Sequence, residues 1–270
     1  SILYGKAGGW PVKPDAQALA DAPSSLVGTV GAGLGQYVVP AGDVNGDGLS
    51  DFLVGDPLNN QVYLVFGRVG AMGQVDPTTL SATANKTRGK IFTVNTGQVG
   101  RWMAAAGDVN RDGFDDILIG VTGLPGGKGE VYLVLGSNPA TGPLGQAQSF
   151  ALDGLTGTRP ILGGAFATDG AGAPAVGVGD LNNDQYADFV IADPTNSAGG
   201  GSAVYVFLGG PTYAARRVSA PASLKATANG SFSGPAGVGS QVVPLGDVNG
   251  DGLPDFAYSD GATPHVAYGR

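Results

Sequence analysis

The chain has 270 residues, 42% of them hydrophobic, with 49 Gly, 18 Pro, no Cys and a formal net charge of −8. That is enough apolar residue for a sizeable core in one large all-β domain or two ordinary ones, and the lack of cysteine excludes a disulfide scaffold, a thiolate zinc site and a thiol nucleophile. With 14 Lys plus Arg against 22 Asp plus Glu nucleic acid is not an expected partner, and no apolar run approaches the roughly 18 residues that cross a bilayer, so no direct membrane insertion is expected.

In chain order, Ile2-Leu3-Tyr4-Gly5 reads as a short strand. It runs straight into Lys6, which is not the pattern of a signal peptide, so the segment reads as a mature product or an excised piece. A weak helical periodicity follows near Ala16 to Ala22. From residue 37 onward one unit recurs. An apolar stretch (Tyr37 to Ala41) leads into Asp43-Val-Asn-Gly-Asp-Gly-Leu-Ser-Asp51, then a second strand over Phe52-Leu53-Val54. The third is Val62-Tyr-Leu-Val-Phe-Gly67, and a less regular fourth covers Lys90 to Val94. The nonapeptide returns as Asp108-Val-Asn-Arg-Asp-Gly-Phe-Asp-Asp116, Asp180-Leu-Asn-Asn-Asp-Gln-Tyr-Ala-Asp188 and Asp247-Val-Asn-Gly-Asp-Gly-Leu-Pro-Asp255, at spacings of 65, 72 and 67 residues. The third strand returns as Val131 to Gly136, Val204 to Gly209 and Val266 to Gly269.

Runs of β-branched and aromatic residues bounded by Gly, Pro, Asn and Asp are strands, and four per period of about 65 residues in tandem predict the four-stranded blades of a β-propeller. Pro40 and Pro244 fit the innermost strand of a blade, whose one unpaired edge tolerates a missing N–H. The repeats are drawn at about 31–94, 95–163, 164–232 and 233–270, with 1–30 completing a blade, all within a single propeller domain or fragment.

The nonapeptides, the Gly55-Asp56-Pro57 that follows the first, and the strand ending Phe66-Gly67 resemble the FG-GAP repeats of integrin α-chain propellers and their bacterial relatives. The slot after the second strand departs from that pattern as Gly120-Val121-Thr122, Ala192-Asp193-Pro194 and Ser259-Asp260-Gly261. The resemblance implies a propeller usually of seven blades, so the expectation is an excerpt of a longer array whose ring other blades or subunits complete, in preference to a closed four-bladed ring. It also implies an extracellular, secreted or cell-surface setting, with a bacterial source, and ligand contacts on the face opposite the loops.

The nonapeptide chemistry points to Ca²⁺, up to four ions, one per repeat. Calcium takes six to eight oxygens at about 2.3–2.6 Å from carboxylates and carbonyls. The side chains at positions one, three and five, the backbone carbonyl at seven and the closing carboxylate at nine supply them. The predicted ligands are Asp43, Asn45, Asp47, Leu49 and Asp51 in the first loop and Asp108, Asn110, Asp112, Phe114 and Asp116 in the second. They are Asp180, Asn182, Asp184, Tyr186 and Asp188 in the third and Asp247, Asn249, Asp251, Leu253 and Asp255 in the fourth. Gly48, Gly113 and Gly252 permit a positive φ at position six; Gln185 in that place marks the third site as the weakest or most altered. An EF-hand loop would close at position twelve and lie beside helices. Polar turns whose aspartates bond only their own backbone would leave three carboxylates repelling within nine residues. Four Ca²⁺ would bring the net charge of −8 to about zero.

No catalysis is expected. His265 is the sole histidine, and the Gly-rich stretches at 123–129 and 199–201 lack a phosphate-binding ending. The expected function is a calcium-stabilised extracellular module for adhesion or for binding a protein or glycan. The alternatives are an accessory or catalytic propeller of a carbohydrate-active protein and a structural spacer of a large surface protein. Candidate contacts lie in the connections 57–61, 122–129, 194–202 and 261–265, and between blades at 95–101 and 168–174, with Arg101 and Trp102 the most suited to binding.

Overall fold

The computed structural model describes residues 24–26, 33–69, 73–75, 80, 88–145, 147, 149–154, 162–168, 174–194, 202–213 and 222–270. The expected strand at Ile2–Gly5 and the weak helical window at Ala16–Ala22 lie outside these residues. The regular structure is mainly strand: β1 (Ser24–Leu26), β2 (Tyr37–Gly42), β3 (Asp51–Asp56), β4 (Gln61–Val65), β5 (Gly73–Val75), β6 (Gly89–Thr93), β7 (Gln98–Gly107), β8 (Asp116–Leu124), β9 (Lys128–Val134) and β10 (Ser149–Ala151). The series continues with β11 (Leu162–Thr168), β12 (Ala175–Gly179), β13 (Asp188–Asp193), β14 (Ser202–Phe207), β15 (Ala222–Ser223), β16 (Gly230–Gly234), β17 (Val242–Gly246), β18 (Asp255–Ser259) and β19 (Pro264–Ala267). Among the described residues no helix is long and apolar enough to cross a membrane.

Three antiparallel meanders of four strands, β2-β3-β4-β6, β7-β8-β9-β11 and β12-β13-β14-β16, and a three-stranded one, β17-β18-β19, are propeller blades in sequence order. Their first strands stand side by side, β2 against β7, β7 against β12 and β12 against β17. The prolines sit where expected: Pro40 and Pro244 are on β2 and β17, each the end strand of its sheet.

The middle strands are apolar without alternation because both faces of a blade are covered by its neighbours. Leu53 points into the core shared with the second blade, and the adjacent Val54 into the core on the other side. In β8, Ile117 and Ile119 face the first blade while Leu118 faces the third; in β13, Phe189 and Ile191 face the second and Val190 the fourth. A period of two thus distributes one continuous hydrophobic run between two cores.

A fifth strand joins the outer edge of two blades, and it comes from the following blade. The chain between the third and fourth strands of the second blade reaches back as β10 and pairs in parallel with β6, placing Phe150 beside Phe92 at 5.8 Å between ring centroids. β15 does the same to β11, and β5 pairs in parallel with β1. This tie was not foreseen from sequence, because three-residue strands inside long irregular connections carry no periodic signal.

The fourth strands run later than the sequence suggested: β11 spans the boundary drawn at 163/164 and β16 that at 232/233. The connection drawn at 95–101 is also shorter. Gln98 already pairs with Thr122, and Gly100, at φ 100°, carries a bulge after which the ladder resumes at Trp102 opposite Gly120. Arg101 and Trp102 are therefore strand residues, with Trp102 40% exposed.

The close stacking of blades makes a prediction at Gly42. Its φ is +79°, and a Cβ there would lie 2.2 Å from Oδ2 of Asp115 on the next blade. Gly42→Ala is expected to cost about 2 kcal/mol, through left-handed strain plus overpacking. Gly210→Ala, where a Cβ meets nothing within 4 Å, is the control. Equal thermal midpoints for the two variants would show that the blades are not in this register.

Candidate metal centres

Each nonapeptide is entered through a glycine at positive φ, Gly42 (79°), Gly107 (78°), Gly179 (81°) and Gly246 (68°). Just before each of these glycines the register of the first hairpin shifts by one residue. The extra residue releases the chain from the ladder and lets it curl. These glycines are a signal that the ligand-centred sequence pattern passed over, since each immediately precedes the first aspartate.

The first aspartate gathers the loop. Asp43 Oδ1 accepts the N–H of Gly46 and Asp47 at 2.8 and 3.0 Å, and its Oδ2 accepts that of Gly48 at 2.7 Å. Asn45 Oδ1 accepts the Asp47 N–H, and Asp47 Oδ1 that of Leu49. The same bonds, apart from that of Gly46, recur around Asp108, Asn110 and Asp112, around Asp180, Asn182 and Asp184, and around Asp247, Asn249 and Asp251. Loops one and four add a bond from the position-four glycine, Gly46 or Gly250, to the first aspartate. In loops two and three that position holds Arg111 and Asn183, at φ 58° and 59°.

The closing aspartates Asp51, Asp116, Asp188 and Asp255 are buried. Each takes one N–H from position two of its own loop (Val44, Val109, Leu181 and Val248, at 2.7–3.0 Å) on Oδ2. On Oδ1 each takes the N–H of the glycine that ends the third strand (Gly67, Gly136, Gly209 and Gly269, at 2.7–3.0 Å). The sequence reading gave these residues one role, as ligands; the structure gives them a second, binding loop to strand.

The electrostatics follow from burial and proximity. Burial pushes Asp51 up to about 7 and Asp188 to about 6, against two amide donors that pull down, and the neighbouring loop carboxylates push in the same direction as burial. Asp116 is raised well above the usual range, and Asp112 is raised, by the same leading cause. Asp247 is lowered, first by the Gly252 N–H.

The donor set fits a hard cation: carboxylate, amide and carbonyl oxygens only, with no nitrogen or sulfur. A carboxylate oxygen has two acceptor sites, so an oxygen that takes a single N–H, such as Asp43 Oδ2 or Asp51 Oδ1, leaves a direction for a metal. Among the described residues no group of three or more acidic or histidine side chains would hold a metal unaided, so a cation would have to recruit the asparagine and carbonyl oxygens too. The loops sit between strands, as the nine-residue reading requires and an EF-hand does not.

Neighbouring loops are joined. The carbonyl of Asp43 accepts the Asp115 N–H while the Asp43 N–H donates to Asp115 Oδ2, and the carbonyl of Asp108 accepts the Ala187 N–H. The carbonyls of Val44, Val109 and Leu181 accept from Ser137, Gly210 and Arg270, the residue after each third-strand glycine. His265 lies away from the loops, 3.0 Å from Asp260 and stacked on Tyr258. Its hydrogen bond is the main cause holding Asp260 down at about 2. That pair closes the β18–β19 hairpin.

Residues 100–134 match the family model of the FG-GAP repeat. The chain is 30% identical over 171 residues to integrin alpha-IIb of Mus musculus, covering 57% of this chain and 14% of that protein. It is 32% identical over 164 residues to integrin alpha-PS2 of Drosophila melanogaster (55% and 12%), and 27% identical over 231 residues to integrin alpha-8 of Gallus gallus (82% and 19%). The chain thus spans less than a fifth of the length of these integrin chains.

Two predictions follow from the loops. In chelator, a closing aspartate that holds its proton in the fold stabilises it below the ordinary carboxylate range and loses that contribution as pH rises through about 6 to 7. The thermal midpoint in EGTA should therefore fall between pH 5 and 8, and a midpoint that rises over that window contradicts the burial of these groups. Second, Gln185 holds φ 73° where the other loops have glycine. Gln185→Gly should stabilise the protein by about 1 kcal/mol, and an unchanged or lower midpoint in urea would show that the loop is unstrained.

Proposed function

We propose, taking the FG-GAP repeat of residues 100–134 as the premise, that this chain is a calcium-stabilised propeller module of an extracellular or cell-surface protein, and that its blade connections serve adhesion by engaging a protein or glycan ligand. The observation that carries the reading is the fourfold recurrence of one oxygen-lined loop, with the same donors bound to the same amides, at the same place in four successive blades. Hydrogen bonds between the chain's own groups complete each turn but leave its negative charges uncompensated. The ion pair of His265 and Asp260, at 3.0 Å, lies away from the loops. A bound Ca²⁺ would supply that compensation.

Asp43, Asn45, Asp47, the Leu49 carbonyl and Asp51 would hold the ion in the first loop, and the corresponding residues in the other three. Because a loop is joined by backbone bonds to its neighbour, ordering one loop restrains the next blade. The metal's role in this reading is structural. The similarity to integrin alpha chains supports the extracellular setting and a binding role over catalysis.

The test is thermal unfolding in EGTA and in millimolar CaCl₂. A single site saturated a hundredfold above its dissociation constant adds about 2.7 kcal/mol, which for a domain of this size raises the midpoint by roughly 5–10 °C. Coincident unfolding curves in the two buffers would remove calcium from the account.

A further inference from the structure

Position eight of the nonapeptide, just before the closing aspartate, is not among the ligands of its own loop and differs in all four: Ser50, Asp115, Ala187 and Pro254. In the structure it belongs to the preceding blade as much as to its own. Three times it lies against the glycine that opens the preceding loop. A Cβ built on Gly42 would meet Asp115 at 2.2 Å, one on Gly107 would meet Ala187 at 2.7 Å, and one on Gly179 would meet Pro254 at 2.9 Å. The residue after each of those glycines is the first aspartate of its loop, Asp43, Asp108 or Asp180. Position eight of one blade thus stands beside the first ligand of the blade before.

What it does there depends on the residue. Asp115 takes hold of both main-chain groups of Asp43: its N–H donates to the Asp43 carbonyl at 3.0 Å, and its Oδ2 accepts the Asp43 N–H at 2.7 Å. The second of these is a charge-assisted bond from a half-buried side chain. Both peptides flanking the Asp43 Cα are fixed, and with them the direction in which its carboxylate leaves the chain. Ala187 donates its N–H to the Asp108 carbonyl, also at 3.0 Å, but has no side-chain acceptor for the Asp108 N–H. Pro254 has neither an N–H to give Asp180 nor an acceptor for it. Position eight of the next blade therefore holds the first ligand by two bonds in loop one, by one in loop two and by none in loop three.

We propose that Asp115 is a positioning residue for the metal loop of the neighbouring blade, and that it gives loop one a calcium affinity above that of loop two. The inference rests on the reading of the nonapeptides as calcium sites. A ligand already held in place loses less freedom when an ion binds, so less of the binding free energy is spent on ordering it. Groups that orient a ligand without touching the metal change affinity by roughly 10- to 100-fold. The negative charge of Asp115 beside loop one acts in the same direction as its hydrogen bond, and the two contributions are separable by substitution.

The test is a CaCl₂ titration of the full 270-residue chain, labelled with nitrogen-15 glycine and followed by amide NMR shifts. Gly48, Gly113 and Gly252 each donate an N–H to Oδ2 of the first aspartate of their own loop, so each amide reports one site. In the unaltered chain Gly48 should saturate at lower CaCl₂ than Gly113. Asp115→Ala, which gives this position the residue found at Ala187, is expected to weaken calcium at Gly48 about tenfold, to affect Gly113 less and to leave Gly252 unchanged. Asp115→Asn keeps an acceptor for the Asp43 N–H and should restore most of the affinity. Ala187→Asp supplies the acceptor that Asp108 lacks and should tighten calcium at Gly113 several-fold. A loss in Asp115→Ala spread equally over the three amides would mean that Asp115 supports the fold alone. Asparagine as weak as alanine would leave only its charge. Either result overturns the proposal, as does Gly113 saturating first or staying unchanged in Ala187→Asp. If no loop amide of the unaltered chain responds to CaCl₂, the calcium reading itself falls, and this inference with it.

Discussion

A carboxylate withdrawn from water is costly unless its oxygens are met by donors or a cation. The closing aspartates Asp51, Asp116, Asp188 and Asp255 impose that condition at the same point of every blade. Each satisfies it by drawing together three pieces of chain that are otherwise separate: the start of the loop, the start of the second strand, where it resides, and the glycine at the end of the third. Once those are fixed the hairpin geometry follows. The third-strand glycine has no room for a side chain because the backbone of position eight lies against it, as the Asp115 carbonyl does at Gly136. The next residue's amide is then delivered to the preceding blade. One buried carboxyl group per repeat thus determines the closure of a loop, the pairing of three strands and the seating of a blade on its neighbour.

The same arrangement explains why polar and apolar organisation do not compete here. The loops collect at one end of the blades, where backbone amides are numerous, and the middle of every strand is left to hydrocarbon. Leu53 and Val54, or Ile117 and Leu118, are adjacent in sequence but belong to different cores. Each blade is therefore a partition with an apolar surface on both sides, stable only between neighbours.

Much of this was legible from the residues. The blades, their first three strands and the loops could be read because aspartate spacing and apolar runs are local signals. The identity of Asp51 and its counterparts as loop-closing groups was also plain, but their second role was not. It depends on Gly67 and its equivalents, which are sixteen or more residues away in three of the four blades. The fourth strands were placed less well, since Gly89–Thr93 and Gly230–Gly234 share little beyond a glycine and a phenylalanine. The connection drawn at 95–101 takes in residues that the structure places in β7, since the ladder carries on past a bulge at Gly100. The tie strands were invisible, since their pairing partners lie in another repeat.

The backward reach of those tie strands separates the unit of sequence from the unit of architecture. A period of about 65 residues is not a blade: it holds most of one sheet and the outermost strand of the sheet before it. If a gene segment of one period is copied in tandem, the new copy brings its own tie for whichever blade precedes it, and its own outer edge stands ready for the tie that follows. Growth by duplication therefore leaves no interior seam, wherever within the period the breakpoints fall. An array built this way lengthens without redesign, and its members drift apart in sequence only as far as each still recognises the one before.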